Sequence, residues 1–226
     1  MSLPKILKLA AILSFSTSTL AEMPTTVEAV ETVASPPAFA YTEEREPCAS
    51  YTAERRPHFG DMHVHTSWSF DASSQDTRNT PADAYRFAKG NAMGIQPYDE
   101  NDKATRTIQL DRPLDFTAVT DHAEFMGEMR MCTTKGLPGY WHPVCIAHRH
   151  VPKLSFLTFA TLGMAYKTRW GLCGDDNNIC FAQAANTWQD IQRDTEDAYD
   201  RSSDCSFTSF VGYEWTASGG TGQNLH

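Results

Sequence analysis

Cationic side chains are scarce here: 19 Lys and Arg stand against 28 Asp and Glu, for a net charge of −9. Phosphate backbones are met by clustered Lys and Arg, so nucleic acid is excluded as an expected partner. A long apolar run is also missing. The most hydrophobic stretch, Leu9 to Leu20, is about a dozen residues and is broken by Ser14, Ser16, Thr17, Ser18 and Thr19, too short and too polar for a stable membrane anchor. There is no C-x-x-C spacing, which argues against a thiolate zinc site, and no G-x-S-x-G elbow, which argues against a Ser-His-Asp hydrolase. The glycine-rich run Ser218 to Gly222 lacks the Lys-Ser/Thr of a phosphate-cradling loop, so flexibility alone is assigned to it. No internal repeat is found.

What is present begins with an export signal. Lys5 and Lys8 precede the apolar stretch, and Thr19-Leu20-Ala21 supplies small residues for cleavage, so residues 1–21 read as a secretory signal peptide. Its removal brings the charge to −11, and the destination is the periplasm or the exterior. Residues 22–46 are rich in Thr, Ala, Pro and Glu without apolar periodicity and read as a flexible leader. Six cysteines in an exported chain imply disulfides; of fifteen pairings, loop spacing favours Cys132 with Cys145 and Cys173 with Cys180, leaving Cys48 with Cys205.

The chemistry concentrates in Gly60-Asp61-Met62-His63-Val64-His65-Thr66. On a buried strand from about Pro57 to Thr66, Asp61, His63 and His65 share one side while Met62 and Val64 pack on the other. Two same-face imidazoles can converge on one cation. Asp71 follows six residues after His65. A second buried strand, Pro113 to Thr120, ends at Asp121-His122, and a third, Ser206 to Trp215, carries Glu214 near its end. Donors at the carboxyl ends of successive strands are what an α/β metal site needs.

Between these strands, Thr80-Pro81-Ala82-Asp83 gives an N-cap, a proline at the first helical position and an acid in the first turn of a helix closed by Gly90. Residues 91–110 read as a loop or insertion. Strand, helix, strand implies a parallel sheet with a right-handed crossover. Residues 123–181 form a cysteine-bearing insertion with a core or lid helix from Leu154 to Tyr166, and His142, His148 and His150 are expected to be surface or lid residues. Ala182 to Tyr199 is a helix with Ala184, Trp188, Ile191 and Thr195 turned inward.

Six segments, Phe59 to Ser67, Ser69 to Ala72, Thr80 to Gly90, Arg112 to Phe116, Val119 to Glu124 and Gly212 to Thr216, resemble the polymerase and histidinol phosphatase (PHP) superfamily of metal-dependent phosphoesterases. Within it the chain is most similar to the domain-of-unknown-function 3604 family. The resemblance covers about residues 58–226. It implies an α/β fold, the amino-terminal part of a distorted (β/α)7 PHP-like barrel, with two or three divalent ions of zinc, manganese or iron. His63 and His65 match the first metal pair and Asp71 a further ligand or its support. His122, the bridging carboxylate Glu214 and His226 match later ligands. The closing Asp-x-His type motif of the family is absent, and three strands cannot close a barrel, so this chain is expected to be an incomplete fragment.

The expected function is phosphoester hydrolysis by a metal-bound hydroxide acting on a small anionic ester, with Asp121 as a catalytic candidate and Asp61 orienting a histidine. The alternative is a periplasmic metal- or ligand-binding module without catalysis.

Overall fold

A computed structural model of the protein describes residues 45–161 and 169–216. The expected signal peptide and nearly all of the expected leader, the end of the expected lid helix, the Ser218 to Gly222 run and His226 lie outside the described residues. Those described fall within one compact unit beginning at Glu43.

The fold is mixed α/β. Strand β1 (Gly60–Val64), β4 (Phe116–Val119) and β5 (Thr208–Val211) form a parallel sheet in the order β1-β4-β5. Strand β4 is central because its residues are apolar or small on both faces: Thr117, Ala118 and Val119 are all buried. One face is covered by helix α2 (Pro81–Ala88) and helix α6 (Asn178–Ala198). There Ala84, Tyr85 and Ala88 meet Val119, Ala198 and Phe207, with Val64 and Leu114 at the margin. The start of α2 follows from its sequence. Thr80 Oγ1 accepts from the Asp83 backbone N–H, the Asp83 side chain accepts from Thr80 N–H at 2.8 Å, and Pro81 occupies the first turn. In α6, Ile191 and Thr195 are buried as their spacing predicts, joined by Thr187 and Ala198.

Three expectations are corrected. Strand β1 is not buried: Gly60 to His63 are exposed and Met62 keeps 51% of its surface, because β1 is the edge of the described sheet and the helices reach only as far as Val64. Residues 91–110 are not a loop but an antiparallel pair, β2 (Met93–Tyr98) and β3 (Ala104–Ile108). Gly94 and Pro97 masked the strand pattern. Gly94 is required where the two strands approach closely, since a Cβ there would sit 2.7 Å from the Ala104 Cβ. Finally, His148 is not on the surface. It is 3% exposed, hydrogen-bonded to Ser73 Oγ at 2.8 Å and to Ser155 Oγ at 2.9 Å, and burial beside Arg149 pushes its pKa down to about 4.

The cysteine-bearing insertion builds its own core. Helices α3 (Met126–Thr133), α4 (Pro143–His150) and α5 (Pro152–Phe159) follow a short 3-10 turn at Ala123–Phe125. Met131 and Leu172 pack among the disulfides Cys132–Cys145 and Cys173–Cys180. The third bridge, Cys48–Cys205, ties the start of the described chain to the loop before β5. The first two are the pairs that loop spacing favoured, and the third is the pair that choice left. A second cluster, Phe125, Met129, Phe159 and Phe70, carries this core to the one-turn helix α1 (Phe70–Ser73) and so to the site.

Candidate metal centre

The register of the sheet assembles the site. Strands β4 and β5 pair Val119 with Val211, and the same register continues past both strands as an isolated parallel bridge between His122 and Glu214. Glu214 N–H donates to the Asp121 carbonyl at 3.0 Å, and Ala123 N–H donates to the Glu214 carbonyl. Histidine and glutamate are thus neighbours at the carboxyl ends of adjacent strands.

On the other side of β4 the register slips. Asp61 pairs with Thr117 but Val64 with Val119, so β1 carries one extra residue between them. This is a bulge, a device that re-aims side chains beside functional sites. Thr120 Oγ1 satisfies the loosened backbone, accepting from Val64 N–H and donating to the Met62 carbonyl, both at 3.3 Å. Beyond the bulge, the buried carboxylate of Asp121 accepts from the N–H of Thr66 and from its hydroxyl at 2.6 Å, locking β1 to β4 just past His65.

The result is a cluster of nitrogen and oxygen donors. Glu214 Oε2 lies 3.1 Å from His63 Nε2 and 2.8 Å from His65 Nε2, and Glu214 Oε1 lies 3.5 Å from His122 Nε2. His122 Nε2 is also 3.8 Å from Asp71 Oδ2. Two donors on one ion at about 2.1 Å stand about 3.0 Å apart along an octahedral edge and about 3.4 Å along a tetrahedral one. The separations of 2.8 to 3.8 Å bracket that range. Two overlapping groups, His63 with His65 and Glu214 and His65 with Asp71 and His122, each hold their donor atoms within 4.8 Å of one another, so both could hold a divalent cation by donor type. Glu128 with Cys173 and Cys180 also clusters, but those sulfurs are disulfide-bonded and offer no thiolate.

The far ring nitrogens are held. His65 Nδ1 is 2.9 Å from Asp71 Oδ2, and Asp71 is itself fixed by the Ser69 hydroxyl and by Ala72 N–H at 2.7 Å. His122 Nδ1 is 3.2 Å from Thr216 Oγ1 and 3.5 Å from a Glu124 oxygen; Glu124 in turn accepts from Thr216 N–H at 2.8 Å. Such partners fix tautomer and ring orientation. Thr216, Ser69 and Thr66 were not singled out in the sequence, where Glu124 reads as capping or coating the helix after His122. Only the spacing of Glu124, two residues after His122, offered a signal.

Electrostatics follow from these contacts. Burial disfavours the charged form of His65, but hydrogen bonds and charge from Asp71 and Glu214 outweigh it and raise the pKa to about 9. Asp71, opposed by its own burial, is nonetheless held well below the usual carboxylate range by His65 and Ser69. Burial raises Asp121 to about 6 despite its two bonds to Thr66. His122 is raised by Glu124, Asp71 and Glu214 against its burial.

Of the candidates named from the sequence, His63, His65, Asp71, His122 and Glu214 come together. His63 is the open side, with 72% of its side chain exposed. Asp61 is exposed and its carboxylate accepts from the His63 backbone N–H at 2.9 Å, so it braces the strand rather than a ring. Asp121 is fully enclosed, which makes it a strut between two strand ends. His226 lies outside the described residues.

No curated protein and no solved structure matches this chain. One family model does, over residues 52–226, and its description reads "Protein of unknown function (DUF3604)". That span takes in the His-x-His strand, the Asp121-His122 corner, Glu214 and all three disulfides but for Cys48, and the chain therefore belongs to the DUF3604 family.

Proposed function

We propose that this chain carries the metal centre of an exported metal-dependent hydrolase acting on phosphoesters. The support is one observation: donors from β1, from the corner after β4 and from the corner after β5 converge so that one Glu214 oxygen meets His63 and His65 while the other faces His122. A carboxylate presented to two sets of imidazoles is suited to bridging a pair of ions of the zinc, manganese or iron type.

His63, His65, His122 and Glu214 would hold a divalent ion, which would supply acidification of water and neutralisation of negative charge on oxygen. The chain does the rest. Asp71 holds His65 with Nε2 turned toward Glu214, and Glu124 with Thr216 does the same for His122. The exposed flank at His63 leaves a path for a small anionic ester. Parallel strands with donors at their carboxyl ends fit a PHP-like barrel, which is the wider fold we assign. Three disulfides fit export through the signal peptide at residues 1–21 to an oxidising compartment.

Metal content and turnover test the reading. Mass spectrometry of purified protein should find stoichiometric divalent metal, lost in His63→Ala and Glu214→Gln. Phosphomonoesters, phosphodiesters and carboxylate esters assayed on the metal-loaded full-length protein with manganese and with zinc should show phosphoester turnover. Metal-loaded protein inert across that panel would leave a binding module in place of the enzyme, and metal-free protein would refute the centre itself.

A further inference from the structure

The insertion is electrostatically unlike the rest of the chain. From Met129 through Gly174 there is no Asp or Glu, while Arg130, Lys135, Arg149, Lys153, Lys167 and Arg169 all fall in this span, in a protein of net charge −9. Three of these serve the fold: Arg130 pairs with Asp190, Arg169 with Glu128, and Arg149 donates to the carbonyls of Cys132 and Tyr140. Lys135 and Lys153 stand exposed.

The same segment turns apolar side chains outward. Helix α5 is built inside out: its inward face holds polar Ser155 beside Phe159, while Leu154 and Leu157 keep 60% and 61% of their surface. Ile146 on α4, Val151 between the helices and Trp141 before them are exposed too, Trp141 at 70%. Large apolar side chains left exposed through one segment mark an interaction surface. Trp and Leu side chains bordered by lysines, with no carboxylate among them, are the composition of a segment that lies in a lipid interface.

We propose that the α4–α5 face docks on a membrane surface carrying anionic headgroups. Leu154, Leu157 and Trp141 enter the headgroup boundary while Lys135 and Lys153 meet phosphate. An acidic protein would account for the lysines but not for the outward leucines. A second copy of this chain would account for the leucines but would bring like charges together. The face adjoins the metal centre through Phe156, which stacks on Phe70 at 5.6 Å, and Phe70 lies 5.0 Å from the His122 ring. Docking therefore brings the site to the lipid surface.

Vesicle co-sedimentation with the purified full chain tests this, comparing vesicles of phosphatidylcholine alone with equal parts phosphatidylcholine and phosphatidylglycerol. Binding should favour the anionic vesicles and weaken at high salt. It should fall at least tenfold in the Leu154→Glu/Leu157→Glu variant and severalfold in Lys135→Glu/Lys153→Glu. Both pairs are exposed, so circular dichroism and metal content should match the parent protein. Absence of binding to anionic vesicles overturns the proposal, as does binding that neither variant weakens. A concentration-dependent dimer dispersed by Leu154→Glu/Leu157→Glu, without vesicle binding, overturns it in favour of self-association.

Discussion

Metal affinity in the proposed centre would be set against protons. With the His65 pKa raised to about 9 and that of His122 raised as well, a cation bound there would displace at least one proton at neutral pH. Affinity should therefore rise about tenfold per pH unit from 7 toward 9 and level off above, which a chelator-competition titration reads directly. Removing the restraint on His65 acts differently. Asp71→Asn should weaken metal binding by about 10–100-fold while leaving the fold intact, since the carboxylate orients the ring that donates. The sign for stability is opposite on the two partners. His65, raised, contributes fully below its unfolded value of 6.5 and loses that contribution as pH climbs through about 9; Asp71, depressed, contributes above the ordinary carboxylate range and loses it on acidification. The contribution of this pair is therefore fullest between about pH 5 and 6.5 and falls on either side. Asp121 at about 6 and His148 at about 4 add slopes of opposite sign inside that window, so thermal melts in chelator should show the pair's effect as the difference between the parent protein and Asp71→Asn.

At the scale of elements, the bulge in β1 and the contact behind it decide whether the imidazoles converge. Gly60 lies against Phe116 so closely that a Cβ would overlap its carbonyl oxygen and its ring. Gly60→Ala should force β1 away from β4, costing about 1–3 kcal/mol as other overpacked sites do and reducing metal stoichiometry more than secondary structure. Denaturant unfolding paired with metal analysis separates the two effects. Helix α2 was readable from Thr80, Pro81 and Asp83 because capping is local chemistry. The hairpin of β2 and β3 was not. A glycine and a proline within six residues dilute the alternation, and the close approach that requires Gly94 exists only after the strands meet. The bulge was equally invisible, since an extra residue in β1 is defined only against β4.

Across the whole molecule, Cys48–Cys205 spans 157 residues and closes most of the described chain into one loop. Cross-linking so long a segment removes much of the entropy of the unfolded chain, so Cys48→Ser/Cys205→Ser should lose about 4–5 kcal/mol, measured by urea unfolding against the parent protein. The two short bridges act on a smaller scale, supporting the insertion whose apolar core is otherwise thin. That insertion reaches the site through Phe70 and its neighbours and through Glu124, which lies 3.5 Å from His122 and whose carbonyl accepts from Arg169, so its packing bears on the orientation of His122.

The amino-acid order alone pointed to the side chains that converge, the three strands of the parallel sheet, the α2 cap and the disulfide partners, because each depends on side-chain chemistry or short spacing. Tertiary structure decided the rest. Which oxygen of Glu214 meets which imidazole, how Glu124 and Thr216 hold His122, why Asp121 is a strut and why His148 is buried all depend on register between strands distant in sequence. Register is a property of paired backbones, and no single segment contains it.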